Sequence, residues 1–530
     1  MKKLSPMLAL IMALVLALGC VQAVAAADEL PEVDLVYWCG ANPDQKDAEL
    51  VLGEMKKAAK DGMNVNLNMV IVATSEFKEK FNKAMAAQER IDLTWTGYIQ
   101  SIQELVNLGA LMPLDDLMAE YGKDLIASLD ERLLDAHRQA DGKLYQFPAW
   151  QGMVGNRSYY MFPKAAVDAT LGEAWVEEMQ RLMYENWDKD TVENQKIVYE
   201  HLEKLLAATK DAGVMGLGYN PTNECSFSAW YSSKSMAGVG TYGYIDLWDD
   251  TFTVKAQCDN PWNIERSKMM GEWYDKGYIR EDIASLESTQ DEKLAGYQDE
   301  TGTQKCYITY GHNGFTDDLS KELAGFKIDL YTVHTNPYCW TTLGQATGTS
   351  IPFTAKEPER AMMFMNWLVT KDEKAIEFYN LYSYGIEGKH YEWNEAHTDI
   401  KVFGGDGQAD SSFDWGQRPW MMGTLLNAYS CPVYPAPYYE ELIKLQENAY
   451  TSPLLGFSFD YSDVETEYNL LSSVNKEYGD MLGRGYLGAA GVEAKYQEYV
   501  DKMYAAGLQD VIDAIQEQVT EFVAKNGRSW

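Results

Sequence analysis

The chain has 530 residues, with 45 basic against 80 acidic side chains and a net charge of −35 at pH 7. A field of that sign repels nucleic acid phosphates and anionic lipid headgroups and disfavours acidic ligands, whereas a neutral ligand such as a sugar meets no such penalty. Apolar residues at 46% and aromatic residues at 12% suffice for packed cores, and the length exceeds what one core supports, so two or more lobes are expected.

Lys2 and Lys3 precede an apolar run from Met7 to Leu18, followed by small residues at Ala23–Ala27 and then Asp28 and Glu29. A charged start, a short apolar core and small residues form the pattern of a secretory signal over residues 1–27. The run is shorter than the roughly 20 residues that span a bilayer. Ala17-Leu18-Gly19-Cys20 resembles a bacterial lipobox, with Ala17 where Leu is usual. On that reading Cys20 carries the lipid anchor and the mature protein sits on the outer face of the cell membrane. The alternative is cleavage near Ala27 and a soluble exported protein. The other six cysteines form no C-x-x-C pair and have no zinc-like spacing to His, so no metal site and no disulfide scaffold is expected.

Val33–Trp38 reads as a first strand, and a helical pattern through Leu50, Met55 and Ala58 ends at Asp61-Gly62. Residues 64–72 alternate, with Val65, Leu67, Met69 and Ile71 on one face; Phe77–Gln88 is helical and Ile91–Trp95 is a strand. Strand, helix, strand, helix, strand predicts a parallel sheet with crossover helices, and ligands of such sheets bind beyond the carboxyl ends of the strands. That places Trp38 with Asn42, and Trp95 with Tyr98, at one candidate mouth. Further on, Lys196–Ala212, Ile264–Lys276 and Glu357–Thr370 read as helices, while residues 216–259, rich in Gly, Ser, Tyr and Trp, read as ligand-facing loops.

Gly109-Ala-Leu-Met-Pro-Leu-Asp-Asp-Leu117 and Asp141-Gly-Lys-Leu-Tyr-Gln-Phe-Pro-Ala-Trp150 resemble the loop-plus-helix and crossover strand of bacterial extracellular solute-binding proteins of ABC importers. Leu381-Tyr-Ser-Tyr-Gly-Ile-Glu-Gly-Lys-His-Tyr391 is similar to a Tyr-Gly-x-Glu-Gly-x-His-Tyr segment of a Firmicutes lipoprotein subgroup of that sugar-type family. Gly456–Asp460, Val464–Glu467 and Ala505–Leu508 resemble the same subgroup's C-terminal module, whose role is undefined. The resemblance implies a two-lobed α/β periplasmic-binding-protein-like fold of type II, an interlobe ligand cleft, and crossover strands as hinge. Lobe one is expected to take residues 33–148 plus about 350–390, and lobe two residues 149–349 plus about 391–530 with the helical module. It further implies a monomer that captures a carbohydrate, delivers it to a permease, and needs no cofactor.

The chain holds 15 Trp and 35 Tyr, and flat rings stack on the apolar C–H faces of sugars while amides bind their hydroxyls. Trp38, Trp95, Trp150, Trp230 and Trp340 fall at strand ends, crossovers or loops, with Asn42, Gln151, Asn220, Asn223 and Gln345 as polar partners; core filling is an equally good reading of any one Trp. Trp175, Trp187, Trp273 and Trp367 lie in helical patterns and are assigned to packing. Glu387 and His390 suit an acid/base pair on paper, but Gly385 and Gly388 beside them point instead to a tight turn in which they satisfy backbone groups or bridge the lobes. Gly238–Gly243 matches G-x-G-x-x-G without the strand and helix that would give it meaning. Absent nucleotide, metalloprotease and hydrolase motifs favour a binding protein over an enzyme. The rival is a secreted glycoside hydrolase with two carboxylates roughly 5–10 Å apart. A third reading keeps the fold and makes the ligand a peptide or other solute.

Overall fold

The computed structural model describes residues 30–97, 99–129, 131–150, 159–186, 189, 191–210, 239, 241–285, 309–311, 329–334, 340–341, 347–403, 414–417, 419–431 and 450–526. Its strands are β1 Val33–Ala41, β2 Val65–Ala73, β3 Leu93–Thr96, β4 Phe147–Pro148, β5 Tyr159–Pro163, β6 Gly243–Tyr244 and β7 Lys255–Ala256. They continue with β8 Thr309–Gly311, β9 Leu330–His334, β10 Trp340–Thr341, β11 Gly348–Ser350, β12 Tyr391–Trp393, β13 Ile400–Val402 and β14 Tyr450–Thr451.

Lobe one is built on a five-stranded sheet in the order β2-β1-β3-β11-β4. β1 runs parallel to β2 and β3, in register from Val33↔Val65 to Ala41↔Ala73, while β11 is antiparallel to both its neighbours. β1 is apolar nearly throughout because both faces of the sheet are covered. Leu35, Tyr37 and Cys39 point into one core, with helices Ala48–Met63, Pro358–Leu368 and Glu373–Tyr384 over them. Trp38 points the other way, against Phe77 and Phe81 of helix Thr74–Ala86 and Ile102 and Leu105 of helix Ile102–Asn107. Successive side chains of a strand face opposite sides, so one apolar run seeds two cores.

A buried carboxylate ties this lobe together. Asp92 accepts hydrogen bonds from the N–H of Val36 on β1 (2.9 Å), from Arg90 Nε (3.0 Å) and from the N–H of Lys356 (2.7 Å), just before helix Pro358–Leu368. Distant stretches of chain thereby share one acceptor.

Lobe two has a three-stranded antiparallel sheet, β8-β5-β9, whose Tyr160, Phe162 and Val333 pack on helices Glu173–Asn186, Val192–Lys210 and Pro261–Asp275. The second of these helices starts before the apolar periodicity does, because the Thr191 hydroxyl caps it by accepting from the N–H of Asn194 at 3.3 Å. Trp175, Trp273 and Trp367 are buried in cores, as their helical patterns indicated; Trp187 lies outside the described residues.

A third core joins Val239, Tyr242 and Val254–Cys258 to the C-terminal helices Glu465–Gly483, Gly488–Ala505 and Leu508–Asn526. Tyr496 donates to the carbonyl of Cys258 (2.8 Å), the N–H of Ala489 donates to Asp275 Oδ2 (2.8 Å), and Lys268 pairs with Glu493 (3.2 Å). These contacts seat the C-terminal helices on lobe two.

One boundary differs from the expectation. Tyr391, Ile400, Val402, Trp415, Met422, Leu425 and Cys431 belong to the core of lobe one, although residues from about 391 onward were assigned to lobe two. The β12–β13 hairpin continues the helix Glu373–Tyr384 through a tight turn, and its apolar side chains close over Tyr384 and Tyr429, so the chain leaves lobe one later.

The Asp92 arrangement makes a definite prediction. Removing one partner of a buried charged network costs about 3–5 kcal/mol. Asp92→Ala should therefore lower the stability of lobe one by about 3 kcal/mol in urea unfolding, and a loss below about 1 kcal/mol would show that the carboxylate is dispensable.

Candidate functional site

The carboxyl ends of β1 and β3 meet the segments that leave lobe one. Gly348 pairs with Thr96 on β3 and with Pro148 on β4, which sets these positions level at one end of the sheet. Thr96 Oγ1 lies 2.7 Å from Ser350 Oγ, and Gln146 Nε2 donates to the Thr96 carbonyl at 2.9 Å. The departing strand is stapled on both sides: the N–H of Ala149 donates to the Thr347 carbonyl (3.0 Å), the N–H of Trp150 to Gly423 (2.9 Å), and the N–H of Leu425 back to Trp150 (2.9 Å). β10 and β14 pair in parallel through Trp340↔Tyr450 and Thr341↔Thr451.

A ladder of amides follows the end of β1. Gln417 Nε2 donates to the Asn42 carbonyl (3.1 Å) and to Gln45 Oε1 (2.9 Å), while its Oε1 accepts from the N–H of Asn42 (3.2 Å). Gln45 Nε2 in turn donates to the Gly416 carbonyl at 2.9 Å. The loop after β1 is thus locked to residues 414–417, a partnership between positions so far apart in sequence that no local pattern signals it. Gln417, 2% exposed with its amide spent on these bonds, is a tie that sequence reasoning did not single out.

The candidate aromatics fare differently. Trp95 is 0% exposed: its ring stands edge-on to Phe77 (centroids 5.1 Å apart, 89°), and a Cβ on Gly40 would lie 2.3 Å from it, so only glycine fits there. Trp150 is 3% exposed and sits in the lobe-one core. Both rings pack in this structure, Trp95 on the covered strand β3 and Trp150 just past β4 in the core. Trp38 retains 9% exposure, against Met421 and the partly buried Trp420. Asn42 is half-buried and joins the amide ladder through its backbone. Tyr98, Gln151, Asn220, Trp230 and Gln345 lie outside the described residues, as does Cys20, and Trp340 is described only as part of β10.

His390 is 3% exposed and structural. Its Nδ1 accepts from the N–H of Ile386 (2.9 Å), which fixes the proton on Nε2, and Nε2 donates to Asp47 Oδ2 (3.1 Å). Glu387 is exposed, so the pair forms a turn anchored to the loop after β1, within lobe one rather than between lobes. A hydrogen bond from Lys389, and then one from His390, holds the Asp47 carboxyl below its usual range. Burial pushes the Cys39 thiol up to about 12, so it stays protonated. Among the described residues, no group of three or more His, Cys, Asp or Glu side chains is placed to hold a metal ion. No described helix is long and apolar enough to cross a membrane.

Burial lowers the pKa of His390 from 6.5, against the opposing pull of Asp47. The folded state therefore favours the neutral ring, and its contribution is complete above about pH 6.5 and is lost as the pH falls through the lowered value. His390→Gln should flatten the decline in stability between about pH 6.5 and pH 5; an unchanged slope would remove His390 from the account.

The chain is similar to known proteins along most of its length. Residues 453–524 match a domain of unknown function, DUF3502. A carbohydrate ABC transporter substrate-binding protein of Streptococcus pneumoniae serotype 4 is 22% identical over 497 residues, covering 92% of this chain and 90% of that protein. The crystal structure of the N-glycan transport solute-binding protein NgtS from Streptococcus pneumoniae superposes with a TM-score of 0.69 at 19% identity, over 94% of this chain and 100% of that one. The Streptococcus pneumoniae ABC-transporter substrate-binding protein FusA, in complex with kestose, gives a TM-score of 0.55 at 15% identity, over 93% and 100% of the two chains. The chain has the two-lobed α/β fold of the extracellular solute-binding proteins, with the DUF3502 module at its C-terminal end.

Proposed function

We propose that this chain is the extracytoplasmic solute-binding component of an ABC importer and captures a neutral oligosaccharide between its lobes by hinge closure. The observation that carries the reading is the set of main-chain hydrogen bonds that brings Ala149–Trp150, Thr347 and Gly423–Leu425 together at the edge of one core, beside the carboxyl ends of β1 and β3, while a second core packs separately. Such a joint allows rotation of one lobe on the other without loss of either core, and closure around a ligand needs no bond to be made or broken. The net charge of −35 disfavours anionic cargo and leaves a neutral sugar unopposed. NgtS, which covers this chain nearly end to end, has been solved with Man1GlcNAc and with Man5GlcNAc, and FusA with kestose, which supports an oligosaccharide here.

In this reading Trp38, Asn42 and Gln417 form the lobe-one rim of the cleft, with Trp95 and Trp150 setting its floor from behind. Tyr98, Gln151, Asn220, Trp230, Trp340 and Gln345 complete it. The protein acts as a monomer, held to the outer face of the membrane through Cys20, and hands its ligand to a permease. It catalyses no reaction.

Titration calorimetry and thermal unfolding against neutral oligosaccharides, peptides and lipids test this together. Ligand at 100 times its Kd stabilises the native state by about 2.7 kcal/mol. A selective response to one glycan class, with the glycan recovered intact by chromatography, is the expected result. Shortened products would establish the glycoside hydrolase instead, and a response confined to peptides or lipids would keep the fold and discard the sugar.

A further inference from the structure

The segment that leads into β1 is gripped residue by residue. The Leu30 carbonyl accepts from Asn64 Nδ2 (2.7 Å) and the Pro31 carbonyl from Arg360 Nη1 (2.6 Å). Glu32 pairs with Lys60 (2.8 Å), and the N–H of Val33 donates to the Asn64 carbonyl (3.3 Å). Arg360 is 7% exposed, and its Nη2 donates to the carbonyl of Met63, the last residue of helix Ala48–Met63. Asn64 takes the left-handed conformation (φ 49°) that closes that helix. Four consecutive residues are bound in this way, so the chain enters lobe one at a fixed point, the amino end of β1.

Two exposed apolar side chains belong to the same end of the sheet. Ser350, Thr94 and Trp38 stand level across β11, β3 and β1. β11 runs opposite to β1, so Phe353, three residues beyond Ser350, lies level with Leu35, close to where Val33 begins β1. It is two strands over, roughly 10 Å to the side. The Phe353 N–H donates to the Ala110 carbonyl (3.1 Å), which brings the end of helix Ile102–Asn107, with Leu108, to this edge. Leu108 is 61% exposed, more than any other large apolar side chain among the described residues, and Phe353 is 44% exposed. Single exposed apolar side chains are ordinary. These two lie on hydrogen-bonded segments beside the clamp.

The size and surroundings of the patch select its occupant. Two side chains offer far less than the roughly 800 Å² that each partner buries in a stable protein interface. A bilayer needs no such area, because apolar side chains held at its surface sink into the boundary between headgroups and acyl chains. Glu32 and Asp92 at this edge are paired with Lys60 and Arg90, which tempers the repulsion that the net charge of −35 sets up against lipid. Cys20 stands ten positions before Leu30, and ten extended residues reach at most roughly 35 Å. An acylated Cys20 therefore holds the clamp within that distance of the membrane.

We propose that the amino end of the lobe-one sheet is a lipid-contacting face: the clamp on Leu30–Val33 brings the anchored chain out beside Leu108 and Phe353, which enter the bilayer interface. The carboxyl ends of β1 and β3 then point away from the membrane. The proposal rests on the reading of Cys20 as the lipid anchor.

The test places the photocrosslinker p-benzoylphenylalanine at Leu108, at Phe353 or at Phe403, one position per protein. Phe403 is the control: it is 38% exposed, and its N–H donates to the carbonyl of His390, whose ring meets Asp47 past the carboxyl end of β1. Each chain carries a hexahistidine tag in place of residues 1–19 and is bound to nickel-chelating lipid in phosphatidylcholine vesicles, which supplies the tether without acylation. After irradiation, mass spectrometry reads the lipid adducts. The expected result is the added mass of phosphatidylcholine at Leu108 and Phe353 and none at Phe403. No adduct at either of the first two positions, or equal adducts at all three, overturns the proposal. The acyl mass on Cys20 of the native protein is measured separately, so failure of the anchor reading is told apart from failure of this one.

Discussion

The arrangement turns on how the chain crosses between lobes. A single crossing strand would leave the lobes free to swivel, and a broad shared core would forbid motion. Here Trp150 is held by main-chain hydrogen bonds to Gly423 and Leu425 on one side, with Ala149 bonded to Thr347 on the other, and β10 pairs with β14 beyond them. Main-chain bonds across adjacent segments resist shear and splaying yet permit bending, which is what the proposed closure of the lobes requires.

The first lobe was legible because its signals are local. Alternation in Val65–Ile71, helical periodicity after Asp47 and the apolar run of β1 each follow from the faces those segments bury, and the structure returns them within a few residues. The chain's return to lobe one after Tyr384 was not legible in the same way. Tyr391, Ile400, Trp415 and Cys431 are too scattered for any period, and only the shared core shows where they belong. Gln417 escaped for the same reason: its partners Asn42 and Gln45 lie over 370 positions away.

Tryptophan marks the limit of reading a binding site from composition. A Trp at a strand end meets the same apolar surroundings whether it faces a sugar or a neighbouring helix. Trp95 packs because Gly40 on the adjacent strand leaves room for its ring, and Phe77 closes the other side. Trp38, one strand away, keeps 9% of its surface exposed. The difference lies in what the neighbouring strand presents. His390 makes the same point among titratable groups, since a turn between two glycines gives its ring two structural partners and no open face.

A crystal structure of the mature protein with its tightest-binding glycan would test the central claim most directly. The account predicts an intact oligosaccharide enclosed between the lobes, beside Trp38 and the Asn42–Gln417 rim at the carboxyl ends of β1 and β3. A glycan bound elsewhere, or found cleaved between two carboxylates, would contradict it.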